Sequence, residues 1–369
     1  MRTKTAAIAL AFGLMAGASP VLAQEVGDQL IVYTGTGSPD ELANAIVDGY
    51  VEMMKEKYGV DIDVQLVSGS AATAWVTFNT EWPNPTGDIY QLYTENVAEG
   101  AAEGRWLNLR EHFTDEEWAR YDQQGLEAMN TGGTSLPMEL AASVLVVQDS
   151  LDEGSVTSWE SLGDPQFAGR TTFESAIAVG SGINVVAAAA VVVGSDWNTW
   201  FVDGQFDEEA ARPAFDKVSE WADNALTLTQ GSGSVRPLLA RGEALVSNWW
   251  WHSGVMEQAA GVPVHVVFPE EGVPAAVATG PVVASTSQNP VAAIEWVKYF
   301  HSLEAAAIGD ELGWASRYRM QGEPASADWD HFMANAEILW VDEFRTLAQS
   351  PEYNQQFLDF YNRVVIQGQ

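Results

Sequence analysis

The segment from residue 29 to residue 96 limits the fold more than any other, because it alternates between strand-length apolar runs and amphipathic helices. Gln29-Leu30-Ile31-Val32-Tyr33 has the length and apolarity of a buried strand. Ser38-Pro39-Asp40-Glu41 then opens a helix, with Ser38 as N-cap, Pro39 in the first turn and Glu41 completing a capping box. Leu42, Ile46, Tyr50 and Met53 form its apolar stripe, and Gly59 ends it. Val60, Ile62, Val64 and Leu66 alternate with polar residues, which predicts a second strand. A further helical piece and a third strand, Asp88–Leu92, follow. Strands separated by helices predict parallel pairing with right-handed crossovers, and so the α/β class.

Each of these strands runs into small or polar residues: Thr34-Gly35-Thr36-Gly37, Ser68-Gly69-Ser70 and Thr94-Glu95-Asn96. Ligands of open α/β sheets bind at the carboxyl ends of the strands. Gly and Ser are ordinary in such loops, so one loop alone carries little weight. Three on one sheet edge make Thr36, Gly37, Ser68, Ser70 and Glu95 candidate ligand contacts.

Further along, a strand at Ala244–Val246 leads into Ser247-Asn248-Trp249-Trp250-Trp251-His252. Three adjacent indoles cannot all face one core, so at least one is expected to face a cleft; core or interdomain packing is the competing reading. Trp249, Trp250 and His252 are the candidates here. Gly180-Ser181-Gly182 opens an apolar helix, Ile183–Val193. Free N–H groups and the positive end of the helix dipole suit an anion at Ser181 and Gly182, while a plain N-cap accounts for the same residues.

The 369 residues suffice for two lobes with separate cores. Crossings are expected at Ala141–Val147 and Val277–Ala284, giving one lobe of 24–143 with 275–320 and another of 144–274 with 321–369. Residues 1–23 read as a secretory signal peptide: Arg2 and Lys4, an apolar Ala6–Ala18, then Val21-Leu22-Ala23. Export to a Gram-negative periplasm follows. No stretch is long and apolar enough for a membrane span; Ile183–Val193 comes closest. The absence of cysteine excludes disulfides and thiol chemistry. A net charge of −34 is spread along the chain as a solvated coat that repels nucleic acid and anionic lipid, and a monomer is expected.

No cofactor or metal is called for. The five histidines, at 112, 252, 265, 301 and 331, lack metal-ligand spacing. There is no G-x-S-x-G, H-E-x-x-H or Walker loop. An exported glycan hydrolase using Glu95, Glu139 and Glu174 is the opposing class, but no local spacing fixes a carboxylate pair.

The order of several short segments carries a resemblance. They are the first strand with its Gly loop, Thr94-Glu95-Asn96, Ser158-Trp159-Glu160-Ser161-Leu162 with Asp164-Pro165, and Ala240-Arg241-Gly242-Glu243. Phe268-Pro269-Glu270-Glu271-Gly272 and Gln288-Asn289-Pro290-Val291-Ala292-Ala293 continue the series. With them the chain resembles the periplasmic solute-binding proteins of ABC importers, in the branch that binds ferric iron, thiamine, polyamines and phosphorus-bearing organics. The resemblance implies a two-lobed type II binding-protein fold, each lobe a mainly parallel sheet flanked by helices. It also implies a small-molecule ligand held between the lobes and delivered to membrane permease subunits.

Iron-binding members carry adjacent tyrosines where this chain has Trp249 and Trp250, an acidic ligand at Glu95, and a synergistic anion at Ser181-Gly182. Indole offers only a donor and cannot ligate iron as phenolate does. The residues therefore favour an amine or quaternary ammonium on Trp249, Trp250 and Glu95. A carboxylate, phosphate or phosphonate at its far end would suit Ser181-Gly182. Ferric iron is the alternative.

Overall fold

The structure is a computed structural model that describes residues 26–369 except 122, 153, 179, 324 and 325, and without the side chains of 124, 178 and 232. The expected signal peptide, 1–23, lies outside the described residues. Strand β1 (Gln29–Thr34) pairs in parallel with both β2 (Asp63–Ser68) and β3 (Ile89–Tyr90). A late strand, Val282–Val283, joins β3 antiparallel and completes a four-stranded sheet. Helix α1 (Ser38–Tyr58) links β1 to β2 and buries Leu42, Ile46, Tyr50 and Met54, four residues apart on one face. It ends where predicted, at Gly59 in the left-handed conformation.

Its start differs from expectation. Gly37, at φ 73°, is the N-cap, and its carbonyl accepts from Glu41 N at 3.0 Å. Ser38 is already the first helical residue, so its hydroxyl is past the capping position and the Ser38–Glu41 box does not form. Asp40 instead ties the strand ends together, accepting from the hydroxyls of Thr34 and Ser68.

The second sheet has seven strands. Its axis is β4 (Pro137–Gln148), whose first half pairs with Val273–Thr279 and whose second half pairs with Val246–Trp250 and Val264–Val267. Thr171–Glu174 and Ala225–Thr229 extend one side, and Ile338–Trp340 closes the other. Helix α2 (Ser181–Val193) is buried throughout Ser181–Ala190, as its uniformly apolar sequence requires. It packs between this sheet and helix α3 (Glu208–Asn224) in a core with Trp159, Trp200 and Trp221. The first sheet has its own core around Leu30, Ile46, Tyr50 and Trp296. The whole is mixed α/β, with mainly parallel strand order in the first sheet and helices on the faces of both.

Candidate functional site

A cleft of about 630 Å3 lies where the ends of both sheets meet, within the usual range for small-molecule sites. Thr36 and Gly37, from the loop after β1, line it together with Tyr93 and Glu95. Glu139 of β4 and Thr279 line its base. Glu174, Gly180, Trp250, His252, Asp342 and Arg345 complete the lining. Five of the ten residues expected from sequence are therefore in the lining: Thr36, Gly37, Glu95, Trp250 and His252. Ser68, Ser70, Trp249, Ser181 and Gly182 are not.

Strand geometry explains the tryptophans. The triplet does not follow the strand as expected; Trp249 and Trp250 are its last residues, and Trp251 begins the next helix. Successive strand side chains face opposite ways, so Trp249 enters the core, 4% exposed, while Trp250 reaches the cleft. Trp251 packs on Phe332 with ring centroids 4.2 Å apart. Asn248, on the same strand face as Trp250, accepts from Glu174 N at 2.8 Å and donates to Ser181 Oγ at 3.1 Å.

The N-terminus of α2 is occupied by a carboxyl group that the chain itself supplies. Ser181 N and Oγ both donate to Glu174 Oε2, the former at 2.9 Å. Ser181 is buried, and a Cβ on Gly182 would lie 2.4 Å from the carbonyl carbon of Ser175. Glycine is there because the backbones touch. Ser68 spends its hydroxyl on Asp40, and Ser70 caps the helix Ala71–Glu81 by accepting from Thr73 N at 3.1 Å.

Sequence reasoning missed Arg345 and Asp342, both on the helix Asp342–Gln349. Arg345 Nη1 donates to Gly180 O at 2.9 Å and to Asn184 Oδ1 at 2.8 Å. Burial pulls the guanidinium below its ordinary value, against the support of Glu95, Asp342 and Glu174. Asp342 Oδ1 accepts from Val277 N at 2.8 Å, while Oδ2 is buried with no hydrogen-bond partner among the described residues. Burial raises Asp342, Glu95 and Glu174 above the usual carboxylate range, with Arg345 opposing in each case.

Glu139 behaves differently. Burial acts to raise it too, but His252 and Ser316 outweigh that and hold it below its ordinary value. His252 Nδ1 lies 3.0 Å from Glu139 Oε1, and Ser316 Oγ donates to the same oxygen at 2.7 Å. Glu95 is positioned by another element, a helix that packs against Asp342–Gln349. It stands in the first turn of Thr94–Ala102, whose Thr94 Oγ1 donates to Val277 O at 3.3 Å and accepts from Thr279 N at 3.2 Å. The helix is thereby pinned to the strand that passes between the sheets. No three of these groups come together as a metal cluster among the described residues.

The profile of the bacterial extracellular solute-binding proteins matches residues 49–333. No curated protein matches the chain. Among solved structures, an ABC transporter structure from Clostridium perfringens superposes with a TM-score of 0.67 at 18% identity, covering 91% of this chain and 99% of that one. The spermidine/putrescine substrate-binding protein PotD from Streptococcus pneumoniae gives 0.69 at 12% identity, covering 92% and 98%. A ferric binding protein from Campylobacter jejuni gives 0.62 at 15% identity, covering 91% and 99%. At these identities the structures establish the shared fold, that of the two-lobed binding proteins. By fold and by a profile spanning most of its length, the chain belongs to the bacterial extracellular solute-binding proteins, which are binding proteins of transporters and not enzymes.

Proposed function

We propose that this protein captures a small amine-bearing organic solute between its two lobes and delivers it to the permease subunits of an ABC importer. The observation that carries the reading is the composition of the cleft. Glu41, Glu95, Glu139, Glu174 and Asp342 line it, against Arg345 as the one Lys or Arg among the described lining residues. A site so weighted toward carboxylate attracts cations by its field. Trp250 adds an aromatic wall, although Arg345 already engages its ring. The relative PotD carries a spermidine/putrescine name, which supports an amine.

The lobes are taken as 24–143 with 275–320 and 144–274 with 321–369, closing by hinge motion at the two crossings. Residues 1–23 would direct export to the periplasm, where the chain acts as a monomer. Ferric iron is the second reading, favoured by Tyr93, Glu95 and His252 lining one cleft and by the ferric-binding relative. Titration calorimetry with a diamine, a quaternary ammonium and ferric citrate separates the two. Tight ferric binding with no response to any amine would overturn the amine reading.

A further inference from the structure

Arg345 and Glu95, both in the cleft, hold hydrogen-bonding capacity that the chain leaves unused. Arg345 commits Nη1 to Gly180 and Asn184, while Nε and Nη2 make no hydrogen bond among the described residues. The side chain is partly exposed and lines the cleft. Glu95 accepts no hydrogen bond from any other described residue and lines the same space. The other acidic groups near Arg345 are partly spent: Glu174 on Ser181, Asp342 on Val277.

Glu95 and Arg345 are also each other's principal counter-charge. Arg345 is the charge that most offsets burial at Glu95, and Glu95 leads those that support Arg345. Yet no ion pair joins them among the described residues, although both line the cleft and the helices that carry them, Thr94–Ala102 and Asp342–Gln349, pack against one another. A bare amine bound at Glu95 meets the field of the guanidinium, and a bare anion bound at Arg345 meets that of Glu95. Only a molecule carrying both charges relieves both groups, and the opposite signs of Arg345 and Glu95 set which end goes where.

We propose that the cleft selects a zwitterion. Its two-oxygen acid group pairs with the free Nε–Nη2 edge of Arg345, and its cationic nitrogen pairs with Glu95. The planar fork of a guanidinium matches a carboxylate, phosphate or phosphonate through two parallel bonds, which an ammonium cannot reproduce. This inference rests on the amine-capture reading and narrows it to one polarity and one anion-reading residue.

The test is calorimetry on the full chain with three matched series: ω-amino carboxylates and aminoalkylphosphonates, the corresponding alkylamines, and the corresponding carboxylates. At least one zwitterion should bind roughly tenfold or more tightly than both its amine and its acid counterparts. Arg345→Gln should weaken that zwitterion and strengthen the amine, since it removes the cation that repels it. A purely structural role would weaken both. Arg345→Lys, which keeps the charge and a smaller perturbation of folding, should lose most of the zwitterion preference because it lacks the fork. Amines that bind as tightly as their zwitterions would overturn this inference and leave amine capture standing. Binding of neither series would overturn both.

Discussion

Arg345 lies over Trp250, its guanidinium carbon 5.9 Å from the ring centroid, so the aromatic wall of the cleft already has a resident cation. The indole therefore has two duties, to steady Arg345 and to bound the solute. Trp250→Ala should cost about 1–2 kcal/mol of solute binding while lowering stability little. Trp249→Ala, one residue away but in the core, should cost about 3–5 kcal/mol of stability. Thermal melts and calorimetry on the two variants give opposite patterns if the assignment of faces is right.

Glu95 links function to stability. Its folded value is raised, chiefly by burial, above the unfolded carboxylate value. A fold that raises an acid's pKa favours its protonated form. That stability is fully present below the unfolded value and is lost as pH rises through the folded one. Glu95→Gln should thus raise the melting temperature at pH 7 while weakening solute binding. A variant that melts lower than the parent at pH 7 counts against this.

His301 sets a limit on the acid side. It is 8% exposed, its Nδ1 lies 2.9 Å from Val297 O, and burial lowers it to about 4. The fold excludes the imidazolium, so stability is complete above the unfolded value and falls as pH drops from there toward the folded one. Between the ordinary histidine value and about 4 the loss should reach roughly 3 kcal/mol. Denaturant melts of the parent and His301→Gln across pH 4–7 measure it; the variant should show a shallower slope whatever its stability at neutrality.

Salt tests the coat. With −34 of formal charge, self-repulsion opposes the compact state. The melting temperature should rise as sodium chloride is added from low millimolar upward, as screening shortens the reach of that repulsion. A flat curve would mean that the charges are already paired or too far apart to interact.

How much of this was legible follows from the range of each interaction. The β1–α1–β2 unit, its parallel pairing and the Gly59 stop rest on local periodicity and were read correctly. The Ser38 cap was misplaced by one residue because a glycine with positive φ can begin a helix as well as end one. Glu95, His252 and one indole of the triplet were legible as strand-end residues. Arg345 was not, because nothing near it in sequence marks it. It reaches the cleft only when the helix Asp342–Gln349 packs beside Gly180 and Asn184, more than 150 positions earlier. Ser181 and Gly182 were expected to meet an anionic group of the ligand; the group on Ser181 is Glu174, seven residues back in the chain.

That carboxylate at the head of α2 has a consequence for selectivity in a crowded medium. An open helix N-terminus beside a binding cleft would spend much of its time holding chloride or inorganic phosphate, and the wanted solute would compete with the whole ionic background. With Glu174 accepting from Ser181 N and Oγ, those donors are already engaged within the chain. What remains open to an anion is the planar edge of Arg345, whose two parallel donors favour a two-oxygen acid group over a spherical ion such as chloride.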